Sequence, residues 1–180
     1  MTVYTSAQSG SWSSSSTWSP TGVPADRDKV TIQSGHTVTF DADQKSFTNG
    51  LLGLTINGTL SFARTITTYL KVGATVTGDG KLEVGTRANP ISRPAAPTSP
   101  MATIYLNGSF SLDTVEIAGW TPDVHRTRLA ADAASGATQL VLEDDMGLQQ
   151  GDKIVIGARS CNGPFNTSTE PSAGLFTVQS

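Results

Sequence analysis

The chain has 180 residues and a net charge of −3, with 12 basic against 15 acidic residues, 15% charged and 37% hydrophobic. Ser and Thr together make up about a quarter of it, and 18 Gly and 9 Pro are spread along its length. So little charge argues against a nucleic-acid or anionic-membrane surface, regular Val, Ile and Leu argue against a disordered tail, and the lack of long Ala/Glu/Lys/Leu runs argues against coiled coils and bundles.

The remaining class is all-β, with Thr, Val, Ile and Phe in strands and Gly and Pro in turns. Residues 1–28 read as a cap. The first ten carry neither a basic stretch nor an apolar one, so no secretory leader is expected there. Ser11-Trp12-Ser13-Ser14-Ser15-Ser16-Thr17-Trp18 has a linker's serines, but two Trp need burial and place this tract across the end of a fold. Ser19-Pro20 and Gly22-Val23-Pro24 mark turns before the first clear strand.

Residues 29–119 carry a repeat. Gly35-His-Thr-Val38-Thr-Phe40 is followed by Gly58-Thr-Leu60-Ser-Phe62, Gly80-Lys-Leu82-Glu-Val84 and Gly108-Ser-Phe110-Ser-Leu112, with glycines 23, 22 and 28 positions apart. The wide interval holds a Pro-rich insertion at 89–101. Upstream of each glycine lies a second alternating run: Val30-Thr-Ile32, Leu54-Thr-Ile56, Leu70-Lys-Val72 and Ile104-Tyr-Leu106. Short strands and corners recurring about every 23 residues favour a short parallel β-helix over a sandwich of hairpin meanders, with Ile32, Ile56, Leu82 and Leu106 inward in successive coils. Residues 120–180 predict a small antiparallel region: two strands around the turn Glu143-Asp144-Asp145-Met146-Gly147, and a last strand at Leu175-Phe176-Thr-Val178.

Trp18-x-Pro20, Val23-Pro24-x-Asp26, Val30-x-Ile32-x-x-Gly35, Val38-x-Phe40-Asp41 and Leu54-x-Ile56-x-Gly58-x-Leu60-x-Phe62 resemble the extracellular domain family named for its eight glycines. Gly80-x-Leu82-x-Val84-Gly85 and Pro90-Ile91 continue the resemblance. Leu129-Ala130, Gly136-Ala137-Thr138-x-Leu140-x-Leu142 and Gly151-Asp152-x-Ile154-x-Ile156 are similar to the segment after that domain in hyaluronan-degrading cell-surface proteins and fibrocystin-type receptors. The resemblance implies a short right-handed parallel β-helix at its start, an extracellular setting and polysaccharide as a ligand. It transfers no catalytic residue, because a polysaccharide-cleaving groove would have few coils to line it. β-Helical chains of related look also occur in phage tails and other virion proteins.

The candidate sites are sparse. Asp26, Asp28, Asp41 and Asp43 are placed either as hard oxygen ligands for calcium or as turn acids capping backbone amides; no other cofactor is expected. Tyr69, Tyr105 and Trp120 are candidates for stacking on sugars, Tyr105 by its outward phase between Ile104 and Leu106. Arg64, Arg87 and Arg93 with Asp79 and Glu83 are either a groove or the ordinary polar exterior of a solenoid. His36 and His125 are the only histidines, and with Ser so abundant a nearby Ser carries no hydrolytic signal. Cys161, the single cysteine, excludes an intramolecular disulfide.

These observations predict a non-catalytic structural or attachment module at a virion surface or outside the cell. The expected partners are other subunits of an assembly, including copies of itself, and polysaccharide; nucleic acid and membrane insertion are not expected. The alternatives are the start of a hyaluronidase-like β-helix enzyme and a plain carbohydrate-binding module.

Overall fold

The structure, a computed structural model, describes residues 1–93, 101–131, 137–156 and 174–177. Its strands in chain order are β1 (Val3–Ser6), β2 (Gly10–Ser11), β3 (Trp18–Ser19), β4 (Lys29–Ile32), β5 (Thr37–Phe40), β6 (Gly53–Ile56), β7 (Thr59–Phe62), β8 (Thr68–Val72), β9 (Val76–Val84), β10 (Ala102–Leu106), β11 (Phe110–Ile117), β12 (Lys153–Ile156) and β13 (Gly174–Thr177). A 3-10 turn at Ser15–Thr17 precedes β3. The protein is all-β, and the described residues fall into two compact units divided after Trp120.

In the first unit, alternation of apolar and small polar residues dictates both strand and face. β4 to β8 bury every second residue, as in Val30/Ile32, Leu54/Ile56 and Leu70/Val72. Nine strands form one curled mixed sheet built from two parallel runs. β1, β4, β6 and the start of β9 make the first, and β2, β5, β7 and the end of β9 make the second. β9 passes from one run to the other through Gly78-Asp79-Gly80, and β11 follows it along both halves. β8 and β10 form a separate parallel pair.

Register stacks like on like. Val38, Leu60 and Leu82 are partners in adjacent strands, as are Phe40 and Phe62. On the outward face of the first run, Thr5, Thr31, Thr55, Thr77 and Ser111 form a column of hydroxyls. Glycine is required where chain crosses chain closely: a Cβ on Gly58 would lie 2.3 Å from the carbonyl oxygens of Gln33 and His36.

The two ends of the first unit differ. At one, β3 turns antiparallel against β1. There Trp12 and Trp18 are buried edge to face at 4.9 Å, with Trp12 at 5.1 Å from Phe40 and Phe40 at 5.0 Å from Phe62. At the other, among the described residues, β10 pairs only with β8 and β11 only with β9, and Phe110, Val115 and Ile117 of β11 are exposed, Ile117 by 70%.

Two register expectations need correction. Phe110 and Leu112 pair with Val76 and Gly78, while Val115 takes the place beside Leu82, so the fourth glycine unit lies beside the first half of β9 rather than the second. Likewise Leu70–Val72 and Ile104–Leu106 pair with each other, and Val76 rather than Leu70 continues the Val30–Leu54 stack. The cause is that β9 runs continuously across its corner, and the insertion within 89–101 breaks the link between glycine spacing and strand pairing. Ile32, Ile56 and Leu82 are nonetheless buried, and Leu106 packs half-buried against the core.

In the second unit β12 pairs antiparallel with β13, not with Leu140–Leu142. The predicted strand before Glu143 is instead held toward Arg128: Glu143 N donates to Arg128 O, Ala130 N donates to Val141 O, and Leu142 bridges Leu129. The Thr127 hydroxyl donates to Asp144 at 2.9 Å and accepts from its amide, which fixes this turn away from β12. Val178, placed in the last strand by the sequence, and Cys161 lie outside the described residues.

Candidate functional site

The outward face of β8 and β10 brings two of the three candidate aromatics together. Thr68, Leu70 and Val72 point into the core, which turns Tyr69 and Lys71 outward. Parallel pairing sets Tyr69 beside Thr103 and Lys71 beside Tyr105. Lys71 Nζ donates to the Phe47 carbonyl and sits 5.6 Å from the centroid of the Tyr105 ring, a cation–π distance. Tyr105 is 47% exposed and Tyr69 half-buried, so the strip is a ring surface pinned by one lysine. Sequence reasoning misses Lys71, although its position between Leu70 and Val72 marks it as outward.

Trp120 is separate from this strip. It follows β11, stacks under the Arg93 guanidinium at 4.4 Å, and lines a shallow apolar cavity of about 270 Å³ with Val84, Ile91, Met101 and Ile117.

The four candidate acids are all engaged by the backbone. Asp28, nearly buried, accepts from the Thr2 and Ala25 amides. Asp41 accepts from Ser13 N and Oγ, and Asp43 from Lys45 N. Asp26 accepts from the Asn49 and Gly50 amides and from Asn49 Nδ2. Asp26, Asp28 and Asp41 therefore tie turns to neighbouring segments, Asp43 closes its own turn, and among the described residues no three His, Cys, Asp or Glu gather as a metal site. Asp28→Ala leaves two amides without their acceptor, and is expected to lower stability by about 2 kcal/mol in urea denaturation; a loss of under ~0.5 kcal/mol would show that water replaces the carboxylate.

Partial desolvation opposes ionisation of Asp26, but the bonds from the Asn49 side chain and the Asn49, Gly50 and Thr48 amides outweigh it and hold its pKa below the usual value. The folded state then binds fewer protons than the unfolded one, so this stabilisation is present above the unfolded pKa and is lost as pH falls through the folded one. Asp26→Asn is expected to flatten the acid limb of a plot of Tm against pH; an unchanged limb would assign the acid sensitivity to other groups.

On the outward face of β9 and β11, Lys81 Nζ lies 2.6 Å from Glu116 and 3.1 Å from Glu83. Its hydrogen bond to Glu116, then that to Glu83, raises the Lys81 pKa; the same Lys81 bond and the Arg87 amide lower that of Glu116. Two carboxylates that share one lysine on the same outward face are not opposed across a groove, unlike a glycosidase pair. Arg64 is likewise spent on Asn89.

His36 Nδ1 lies 2.9 Å from Ser6 Oγ, which also accepts from the Gln33 amide. Ser6 is 1% exposed, so its hydroxyl holds a corner and is inaccessible as a nucleophile. His125 is exposed in the second unit. No helix among the described residues is long and apolar enough to cross a membrane.

Comparison with known proteins agrees with the eight-glycine resemblance. The chain is 32% identical over 152 residues to fibrocystin of Canis lupus familiaris, which covers 77% of this chain and 4% of that protein. It is 31% identical over 159 residues to fibrocystin of Mus musculus, covering 81% and 4%. The chain thus spans about 4% of the length of these relatives. No solved structure matches it. The model of the G8 domain matches residues 17–126, from the Trp18 end of the first unit past β11, and the chain belongs to the G8 domain family.

Proposed function

We propose that the chain is a non-catalytic structural and attachment module of an extracellular protein, whose closed end starts a parallel β-solenoid and whose other end offers strand edges for continuation or for a partner subunit. The observation that carries this reading is the asymmetry between the two ends of the first unit. Trp12, Trp18 and antiparallel β3 close one end, as the terminal repeat of a solenoid must. Among the described residues, β10 and β11 leave unpaired edges and exposed Val115 and Ile117 at the other, and such edges template further strands. Parallel partners recurring along two runs support stacked coils, and a right-handed winding is the hand that parallel crossovers favour. The fibrocystin relatives support an extracellular setting; nothing in the comparisons favours a phage or virion particle.

Deleting residues 1–28 tests the capping role. The truncated chain is expected to aggregate, because the edges of β4 and β5 lose β1 and β2, while the full chain stays monodisperse in sedimentation; a truncated chain equally soluble and cooperative overturns it. The non-catalytic reading fails if the purified chain releases oligosaccharides from a polysaccharide panel and loses that activity on Glu116→Gln or Glu83→Gln.

A sugar-binding role is a second reading, favoured by the Tyr69–Lys71–Tyr105 strip. It predicts glycan-array binding that disappears with Tyr69→Ala or Tyr105→Ala and persists with Trp120→Ala.

A further inference from the structure

Asn57 and Asn107 head the triplets Asn57-Gly58-Thr59 and Asn107-Gly108-Ser109, which match the acceptor pattern for N-linked glycans, Asn-x-Ser/Thr with x other than Pro. Asn57 lies in the corner between β6 and β7 and Asn107 in the corner between β10 and β11, and both are exposed. In a chain so rich in Ser and Thr the triplet alone decides little. What decides is how the fold uses each asparagine side chain.

Four asparagines are described: Asn49, Asn57, Asn89 and Asn107. Asn49 is followed by Gly50-Leu51 and Asn89 by Pro90, so neither fits the pattern. Both are structurally employed: Asn49 Nδ2 donates to Asp26 at 3.3 Å, and Asn89 Oδ1 accepts from Arg64 at 3.3 Å. Asn57 and Asn107, by contrast, use only their backbone amides, which donate to Ile32 O and Val72 O. Neither carboxamide bonds to a described residue. Nor does either take the positive φ at which Asn outperforms other residues, since Arg27 alone does so among the described non-glycine residues. The next residue in each triplet is constrained, because a Cβ on Gly108 would meet the Ala74 carbonyl at 2.0 Å, much as at Gly58. The fold therefore explains the glycines but not the asparagines, and the asparagines it leaves unused are the two that carry a hydroxyl two residues on.

We infer that Asn57 and Asn107 are glycan acceptors when the chain passes through a glycosylating secretory compartment. The donor is an oligosaccharide linked to a lipid pyrophosphate. Nδ2 of the asparagine bonds to the anomeric carbon, the bond from that carbon to the pyrophosphate oxygen breaks, the lipid pyrophosphate leaves with the electron pair, and one Nδ2 proton passes to a base of the transferase. The glycans stand at two corners whose side chains make no packing contribution to lose. This inference stands or falls independently of the solenoid reading.

The test is secretion of the full chain from mammalian cells behind a cleavable leader. Peptide masses are read before and after an amidase that releases N-glycans and leaves Asp in place of the modified Asn. Occupancy is expected at both positions. Asn57→Gln or Thr59→Val should remove the first glycan, Asn107→Gln or Ser109→Ala the second, each without changing the Tm of the deglycosylated chain. Retention in the cell does not block the reading, since occupancy is scored equally in a translation extract with microsomal membranes. An unmodified Asn57 or Asn107 overturns the assignment at that position, and a glycan confined to Asn166, in the triplet Asn166-Thr167-Ser168 outside the described residues, overturns both.

Discussion

Leu60→Asp is expected to take several kcal/mol from the stability of the first unit and to lower its urea midpoint steeply. Leu60 is 0% exposed and sits in β7 between Val38 of β5 and Leu82 of β9, all three inward. The change removes the transfer free energy of a leucine side chain and strands a carboxylate where neither a cation nor water reaches it. Each effect alone costs a few kcal/mol, and together they amount to about 4 kcal/mol or more. Against the 5–15 kcal/mol that ordinarily separates folded from unfolded domains, that is a large fraction of the total, and the urea midpoint falls in proportion. Ser61→Lys is the matched control: Ser61 is the next residue, faces outward and is register partner to Glu83, so the change should stay within about 0.5 kcal/mol. Equal losses from the two variants would mean that the inward and outward faces of β7 are misassigned.

That contrast also shows why so much of the fold is legible in the sequence. Thr59-Leu60-Ser61-Phe62 and Thr37-Val38-Thr39-Phe40 alternate cleanly, and a side-chain period of two permits only one face to be buried. Register is readable only where successive paired strands are spaced nearly equally along the chain. From Gly35 to Gly80 the glycine spacing tracks the stacking, and Val38, Leu60 and Leu82 align as expected. Beyond Val84 the insertion changes that spacing while the local Gly-x-Φ-x-Φ pattern, with Φ apolar, survives at Gly108. The pattern then identifies a strand but not its partner: Phe110 lands on Val76 rather than on Leu82.

The sites are less legible for a different reason. A single Asp in a turn looks the same whether it will hold a cation or a backbone amide, and only three-dimensional proximity shows that Asp28 spans to Thr2 and Asp26 to Gly50. Alternation places Tyr69 and Tyr105 outward, but their common face depends on β8 pairing with β10 across the insertion. The tie between Lys81 and Glu116 likewise joins residues 35 positions apart. No local pattern announces it.

Trp12→Ala is expected to cost about 3–5 kcal/mol, the second large effect in the molecule and the one that bears on the closed end. Trp12 is 0% exposed, its ring edge to face with Trp18 and with Phe40, and its backbone is tied at both polar groups: its amide donates to Thr39 O, and its carbonyl accepts from Trp18 Nε1 at 2.8 Å. Truncation keeps those backbone bonds but opens a cavity between rings that β3 and the 3-10 turn hold in place, so the site cannot collapse fully. Trp12→Phe separates packing from polarity. The indole Nε1–H of Trp12 is buried without a partner, a native cost that phenylalanine removes while keeping an aromatic edge against Phe40. The phenylalanine variant should therefore retain more than half of the stability lost on truncation, and should remain monodisperse where the alanine variant begins to associate through its opened end. If both variants lose the same stability, ring packing does not hold this end closed; if Trp12→Ala costs less than about 1 kcal/mol, the tract from Ser11 to Trp18 is a lid resting on a core that is already complete.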